Sequence, residues 1–171
     1  MIKVSFDFDD CLGHFESIQK YCKELIQNLN IEVWIVTSRP ENPREFFRKK
    51  YPDNDSFKRD DGFLWWSNED DLFPLATELG IPRERIIFTN HEPKAWWFDK
   101  NGNGFVFHLD DNPQEIRLIN QLTKITPIFC LSSNWKQKCE KIIKKHLSSV
   151  TDSISDFDSV GEGSSPSGGT E

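Results

Sequence analysis

The sequence lacks long apolar stretches. Among its 171 residues, no apolar run approaches the roughly 18–20 residues that a helix needs to cross a membrane. A secretory leader is also missing, because residues 1–4 run directly into an apolar, strand-like segment. These absences predict a soluble protein with no membrane partner.

Cysteines are few and widely separated. The four cysteines, Cys11, Cys22, Cys130 and Cys139, form no C-x-x-C pair. This usage favours free thiols in a reducing, intracellular setting. Together with the missing leader, it predicts a cytoplasmic location.

An overall excess of basic charge is absent as well. The chain has 28 acidic and 21 basic residues, and five of the acidic ones lie in residues 147–171, which carry no lysine or arginine. The rest of the chain is therefore nearly neutral, so it has no general basic field that would hold nucleic acid, although a local patch stays open. Residues 147–171 are rich in serine, aspartate, glycine and threonine, and we predict a disordered acidic tail there.

Short apolar runs alternate with longer amphipathic ones over residues 1–146, which predicts a single domain. We expect strands at residues 3–8, 32–37, 85–89, 104–109 and 127–131. We expect helices at residues 15–28, 43–50, 69–79, 92–100, 113–121 and 134–146. Alternating strands and helices are typical of parallel strands joined by right-handed crossovers. The prediction is an α/β protein with a Rossmann-like, doubly wound, mostly parallel sheet.

Acidic residues are concentrated at the ends of two of these strands. The first strand runs into Asp7, Asp9 and Asp10, and the fourth ends in Asp110 and Asp111. Like charges this close destabilise each other and resist burial, so a compensating cation is expected. Hard divalent cations prefer oxygen ligands. Because the carboxyl ends of parallel strands lie at one edge of a sheet, both groups predict one metal-centred site.

Each polar residue at this edge suggests a chemical role. Asp7 is a fixed carboxylate that can attack an electrophile, and Asp9 can act as a general acid and then as a general base. Thr37 and Ser38, which end the second strand, offer hydroxyl and backbone N–H groups to an anionic oxygen. Lys94 can neutralise phosphate charge.

These motifs resemble those of the haloacid dehalogenase (HAD) superfamily of phosphatases. The resemblance runs from about residue 1 to residue 120, with the motifs in the family's order and spacing. The matching positions are the Asp-x-Asp pair Asp7 and Asp9, the strand-terminal Thr37, the upstream Lys94, and the paired Asp110 and Asp111.

The resemblance implies a phosphatase that depends on Mg²⁺. In this family Asp7 would form an aspartyl-phosphate, and Asp9 would protonate the leaving group and then activate water. Thr37, with Ser38, and Lys94 would bind the phosphoryl group. The Mg²⁺ ligands would be the Asp7 carboxylate, the Asp9 backbone carbonyl and Asp110, with Asp111 in direct contact or one shell further out. The short connections between motifs imply a small cap or none, and an open site.

Some points stay open at this level. Asp10 stands where the family commonly has glycine, and Cys11 stands where it has threonine or valine. Lys100 is an alternative to Lys94. Nucleotides, phosphosugars and nucleic-acid 3′-phosphate ends are all candidate substrates, with a nucleotide or polynucleotide phosphate favoured by the small cap, aromatic residues and the basic last helix. The alternative function is a non-catalytic module that binds phosphate and Mg²⁺.

Several nearby residues have competing interpretations. Arg39 either contacts a substrate phosphate or belongs to the segment that caps the next helix. A lone histidine such as His91 or His108 is more often a structural hydrogen-bonding group than a catalyst. The pairs Trp65–Trp66 and Trp96–Trp97 suggest base stacking, but adjacent helical residues point about 100° apart, which favours a split between core and surface.

Overall fold

The computed structural model describes residues 1–55 and 67–159, with side chains up to residue 149. The strands are β1 (Ile2–Phe6), β2 (Ile31–Thr37), β3 (Ile86–Phe88), β4 (Phe105–Asp110) and β5 (Thr126–Phe129). The helices are α1 (Glu16–Ile26), α2 (Pro43–Lys50), α3 (Leu72–Leu79), α4 (Lys94–Asn101), α5 (Pro113–Leu122) and α6 (Trp135–Ser159). An irregular turn (Phe8–Leu12) follows β1, and a short 3₁₀ turn (Arg83–Arg85) precedes β3.

All five strands pair in parallel, in the order β3-β2-β1-β4-β5. The chain moves outward from β1 through β2 to β3, and then returns through α4 to place β4 on the other side of β1. The predicted α/β class with a doubly wound sheet is confirmed. In such sheets ligands bind beyond the carboxyl ends of the strands where the chain reverses direction, which here is between β1 and β4.

Two apolar clusters cover the two faces of the sheet. The larger cluster packs α1, α3 and α6 against the sheet and includes Ile18, Leu72 and Cys139. The smaller cluster packs α4 and α5 and includes Phe98 and Ile119. The central strands are buried on both faces, which explains why β4 is buried along its whole length.

Local sequence signals set several helix ends. Asn42 and Asn112 each precede a proline at the first helical position, and their side chains accept a backbone N–H from the first turns of α2 and α5. Gly80 ends α3 in a left-handed conformation, with φ of 87°. Each of these helices therefore starts or stops where its capping chemistry allows.

Some element bounds differ from those predicted. Helix α3 begins at Leu72, three positions after the predicted start at 69, because the Asp71 side chain caps it and turns precede it. Helix α6 extends to Ser159, past the predicted domain boundary at residue 146. The four cysteines are buried and free.

Three expectations fall on residues outside the described ranges. They concern the end of the acidic tail at 160–171, the pair Trp65–Trp66, and that part of the predicted cap region lying in residues 56–66. These stay predictions. Within the described ranges, no helix combines the length and the apolar character that a bilayer span requires.

We expect Phe107→Ala to lower the free energy of unfolding by about 3–5 kcal/mol, because it removes a large side chain from a filled core. Phe107 is fully buried, and its ring lies 6.1 Å from that of Phe6 in an edge-on arrangement. Urea denaturation measures the change. The matched control Leu29→Ala, at a position that is 89% exposed, should shift stability by no more than about 0.5 kcal/mol. Equal shifts in both variants would contradict the described core.

Candidate functional site

Adjacent strands bring two buried carboxylates to the same edge of the sheet. Asp7 directly follows β1, and Asp110 is the last residue of β4. The strands are in register with Phe6 opposite Leu109, and the Asp7 N–H donates to the Leu109 carbonyl at 2.8 Å. Asp7 is 5% exposed and Asp110 is fully buried. Strand pairing therefore brings together two acidic residues that are far apart in the sequence.

Lys94 places a cation between these two carboxylates. Its Nζ lies 2.7 Å from Asp7 Oδ1 and 2.6 Å from Asp110 Oδ2, and its side chain is 2% exposed. Lys94 is the first residue of α4, and its backbone N–H donates to Glu115 Oε2 at 3.1 Å. Lys100, by contrast, is exposed near the far end of α4. Of the two lysines considered from the sequence, Lys94 is the one at this site.

Further hydrogen bonds, from His108 and the Asn112 backbone, hold Asp110 in place. His108 Nε2 lies 2.9 Å from Asp110 Oδ2, and His108 Nδ1 lies 2.8 Å from the Ser5 hydroxyl. The Asn112 N–H donates to Asp110 Oδ1 at 3.0 Å. An ionised carboxylate only accepts, so Nε2 carries the ring hydrogen and Nδ1 accepts from Ser5. The orientation of Asp110 is thereby set by Lys94, His108 and Asn112.

The pKa values of the buried groups follow from these contacts. Burial alone would lower the pKa of Lys94, but the charges of Asp7 and Asp110 raise it well above its ordinary value. Burial would raise the pKa of Asp110, but the His108 hydrogen bond and the Lys94 charge hold it well below its usual range. Burial lowers the pKa of His108, which keeps the ring neutral at physiological pH. Lys94 and Asp110 therefore form a charged pair.

Asp7 behaves differently because it has fewer compensating donors. Burial raises the pKa of Asp7, and the charge of Asp110 and a hydrogen bond with Asp111 raise it further, against the influence of Lys94. Burial and the charge of Asp110 also raise the pKa of Asp111. Two carboxyl groups can hydrogen-bond only by sharing a proton. The site therefore holds more negative charge than one ammonium group balances.

Asp7, Asp110 and Asp111 form a cluster suited to a metal ion. One oxygen from each carboxylate can be chosen so that all three lie within 4.8 Å of one another. Carboxylate oxygens are hard ligands, and the imbalance of negative charge favours a divalent cation. This buried acidic cluster could bind a metal ion, and the donor set fits Mg²⁺.

The remaining acidic residues of the first motif lie in the turn after β1. Asp10 has a left-handed backbone, with φ of 52° and ψ of 20°, a conformation that aspartate tolerates better than most residues. Aspartate is thus compatible with the turn at this position, where the family that the motifs resemble commonly has glycine. The Asp9 side chain is half exposed and pairs with Arg39 at 2.7 Å, so its carboxylate lies outside the three-carboxylate cluster.

Thr37 and Ser38 lie at the carboxyl end of β2, beside β1. Thr37 is fully buried, and its hydroxyl accepts the Arg39 N–H at 3.2 Å. Ser38 is partly exposed, and its carbonyl accepts the His91 N–H at 2.7 Å. Asn90 and His91 both have left-handed backbones, with φ of 53° and 65°. The parallel pairing of β1 with β2, with Phe6 opposite Ile35, brings the end of β2 to the same edge of the sheet as Asp7.

Sequence reasoning missed several partners of the site residues. It favoured a structural hydrogen-bonding role for His108, which the contacts with Asp110 and Ser5 fit, but it did not name Asp110 as the partner, although the two-residue period of a strand puts both on one face. It did not connect Arg39 with Asn68 or Asp71, which both contact its guanidinium group. The only signal for Asp71 was its place before an apolar run, where it caps α3.

The tryptophan pair on α4 divides as its helical spacing predicts. Trp96 is 54% exposed, whereas Trp97 is partly buried, with its ring 6.5 Å from that of Trp34 and 5.8 Å from that of Phe105. Trp97 therefore packs against the smaller apolar cluster, on the face of the sheet that α4 and α5 cover.

Comparison with known proteins gives no match to a family model, to a curated protein or to a solved structure. The arguments about function therefore depend on the geometry of the site and on the motifs.

We expect Lys94→Met to lower the free energy of unfolding by about 3–5 kcal/mol at neutral pH, because it leaves buried carboxylates without their cation. Loss of Lys94 removes the charge that opposes the raised pKa of Asp7. A carboxyl group whose pKa is raised by folding destabilises the protein as pH rises from the pKa of the unfolded chain toward that of the folded state. The deficit should therefore shrink as pH falls toward the ordinary carboxyl pKa of about 4.

Urea denaturation as a function of pH measures this deficit. The matched control is Lys100→Met, which removes an exposed lysine from the same helix and should change stability by no more than about 0.5 kcal/mol. A deficit that does not depend on pH would be inconsistent with the charge balance described for this site.

Proposed function

We propose that this chain is a Mg²⁺-dependent phosphomonoester hydrolase that works through an aspartyl-phosphate, as in the HAD superfamily that its motifs resemble. The observation that carries the proposal is the cluster of Asp7, Asp110 and Asp111, with the Lys94 ammonium between the buried carboxylates of Asp7 and Asp110, at the point where the sheet reverses its strand order. Charged residues are not normally buried together unless they are paired or functional.

Asp7 is the proposed nucleophile. One Asp7 oxygen attacks phosphorus, the bond to the leaving oxygen breaks, and Asp9 gives that oxygen a proton. Water then attacks the phosphorus, Asp9 takes a proton from the water, and the bond from phosphorus to Asp7 breaks. Atoms and protons balance over the two steps, and phosphate and an alcohol are released.

Lys94 has two tasks in this scheme. It stabilises the Asp7 carboxylate in the resting protein, with Nζ at 2.7 Å from Oδ1. When the phosphoryl group arrives, the same ammonium group can neutralise one of its oxygens. Thr37 and Ser38 would offer hydroxyl and N–H groups to the other oxygens from the end of β2.

The metal ligands would be Asp7, Asp110 and the backbone carbonyl of Asp9, with Asp111 nearby. Bound Mg²⁺ would supply a positive charge that neutralises phosphate oxygens. Asp110 already accepts hydrogen bonds from Lys94, His108 and Asn112. A carboxylate has about four acceptor positions, so one position remains for a cation.

We propose that the leaving group occupies a cavity that Asn68 and Glu92 help to line, although the acidic cluster itself does not line it. It has a volume of about 860 Å³ and lies among the loops after β2 and β3. Its described lining includes four glutamates against two cations, Lys49 and Arg83. Such a lining favours a leaving group with little negative charge of its own. We therefore propose phosphorylated small molecules, such as a nucleotide or a phosphosugar, ahead of polynucleotide ends.

We expect Asp7→Asn to reduce hydrolysis of p-nitrophenyl phosphate in the presence of Mg²⁺ by at least about 10⁴-fold, because it removes the nucleophile. Release of p-nitrophenolate measures the rate, and EDTA should abolish the wild-type activity. The matched control is Asp10→Asn, which removes a carboxylate from the same turn and keeps a residue that tolerates the left-handed backbone.

The control variant should retain most of the turnover. Substantial activity in Asp7→Asn would rule out Asp7 as the nucleophile. A wild-type protein that binds Mg²⁺ but hydrolyses no member of a broad phosphomonoester panel would support the non-catalytic alternative.

Mg²⁺ affinity should rise with pH. The raised pKa values of Asp7 and Asp111 mean that protons compete with the cation for these carboxylates. As pH rises above the ordinary carboxyl pKa of about 4, each proton released on binding contributes up to about a tenfold gain in affinity per pH unit. Calorimetry in two buffers with different ionisation enthalpies counts the protons released. Asp110→Asn should bind Mg²⁺ weakly, and pH-independent binding by the wild type would exclude a shared proton at this site.

A further inference from the structure

The guanidinium group of Arg39 is fully committed to contacts within the protein. Its Nε and Nη2 donate to the two Asp9 carboxylate oxygens at 2.8 and 2.7 Å. Nη1 and Nη2 donate to the two Asp71 carboxylate oxygens at 2.7 and 2.8 Å. Nη1 also donates to Asn68 Oδ1 at 3.3 Å. An arginine has five N–H donors on its side chain, and all five are used here.

Arg39 and two of its partners, Asp71 and Asn68, are held by further contacts. The Arg39 guanidinium carbon lies 4.7 Å from the centre of the Phe8 ring, and its side chain is only 11% exposed. Asp71 caps α3 by accepting the Leu72 N–H at 2.6 Å. The Asn68 amide donates to two backbone carbonyls of the loop after β2, those of Pro40 and Glu41, at 3.0 and 2.9 Å.

We propose that Arg39, Asn68 and Asp71 form a clamp that positions Asp9 for proton transfer, and that Arg39 is not a phosphate-binding residue. This inference deepens the proposed phosphatase function and rests on it. To bind Arg39, a phosphate would have to displace bidentate, charge-assisted hydrogen bonds, which are among the strongest in proteins. The geometry therefore favours a fixed support over a substrate ligand.

Asp9 needs such a support because of where it lies. Its side chain is half exposed and extends from an irregular turn, so without a partner it would sample several rotamers. Proton transfer requires the carboxyl group to lie within hydrogen-bonding distance of the leaving oxygen. The two contacts with Arg39 occupy one acceptor position on each Asp9 oxygen, which leaves the others for the transferred proton.

A positioning role can be tested with two substrates of similar shape that differ in how much they need an acid. p-Nitrophenolate leaves readily without a proton, whereas phenolate depends more on one. We expect Arg39→Gln to lower kcat/KM for phenyl phosphate at least about tenfold more than for p-nitrophenyl phosphate, since general acids contribute about 10²–10⁴-fold. Asp9→Asn should show the same selective loss.

The double variant separates positioning from binding. If Arg39 acts through Asp9, the variant with both Arg39→Gln and Asp9→Asn should be no slower than Asp9→Asn alone. Arg39→Lys should restore little, because lysine keeps the charge but cannot make the two-pronged contact. If instead Arg39 binds the phosphoryl group, the losses should multiply, and both substrates should suffer equally.

Two further variants serve as a control and as an alternative for this test. Arg85→Gln removes another arginine that pairs with a carboxylate, Glu32, at 3.8 Å and does not line the proposed leaving-group cavity, and it should leave the ratio of the two substrates unchanged. Asp71→Asn loosens the far side of the clamp but keeps a residue that caps α3, and it should show the selective loss to a smaller degree. This variant carries the test if Arg39→Gln does not fold.

The outcomes distinguish the two proposals. Equal losses on both substrates in Arg39→Gln and in Asp71→Asn, with multiplicative losses in the double variant, would overturn the clamp and leave the phosphatase proposal intact. A wild-type protein without turnover of either aryl phosphate in the presence of Mg²⁺ would overturn both.

Discussion

The site depends on one buried interaction, in which the Lys94 ammonium group lies between the carboxylates of Asp7 and Asp110. These residues come from the ends of two adjacent strands and from the first turn of α4. Without a cation between them, two carboxylates at this depth would repel each other and lose their hydration. The same ion pair therefore holds the centre of the sheet edge together and prepares it for an anionic ligand.

The carboxylates at this edge fall into two groups, each with its own cation, Lys94 or Arg39. The inner group contains Asp7, Asp110 and Asp111 with a single ammonium group, and burial together with the charge of Asp110 raises the pKa of Asp7 against the influence of Lys94. In the outer group, Asp9 shares a guanidinium group with Asp71. The inner group, with three carboxylates and one ammonium group, has a deficit of positive charge that a divalent ion would remove. The outer group, with two carboxylates and one guanidinium group, has a smaller deficit, and its carboxylates are half exposed, so solvent screens it. Two carboxylates only two residues apart thus experience different electrostatic environments.

Much of the fold was predictable because it depends on local patterns. Alternating apolar runs and amphipathic segments specify a parallel α/β sheet, and strand pairing then brings Asp7 and Asp110 to one edge. The helix starts at Asn112-Pro113 and the stop at Gly80 follow from capping chemistry.

The parts that could not be predicted depend on tertiary contacts between distant side chains. Nothing in the local sequence pairs Arg39 with Asp71, because their proximity depends on the path of the chain between β2 and α3. The contact of His108 with Asp110 was within reach, since strand periodicity alone puts them on one face. The direction of the Asp9 side chain was not, because it depends on a left-handed residue, Asp10, in an irregular turn.

The contacts of Asn68 have a consequence for how this protein tolerates change. Asn68 lies near the end of the segment that connects β2 to α3. Its amide group donates to two carbonyls at the beginning of that segment, those of Pro40 and Glu41. Closing a longer loop between fixed ends costs little additional entropy. Because Asn68 holds the two ends of this segment together, a change in its length should disturb the acidic edge little, so the cavity lining that the segment contributes can change while the reacting groups keep their geometry.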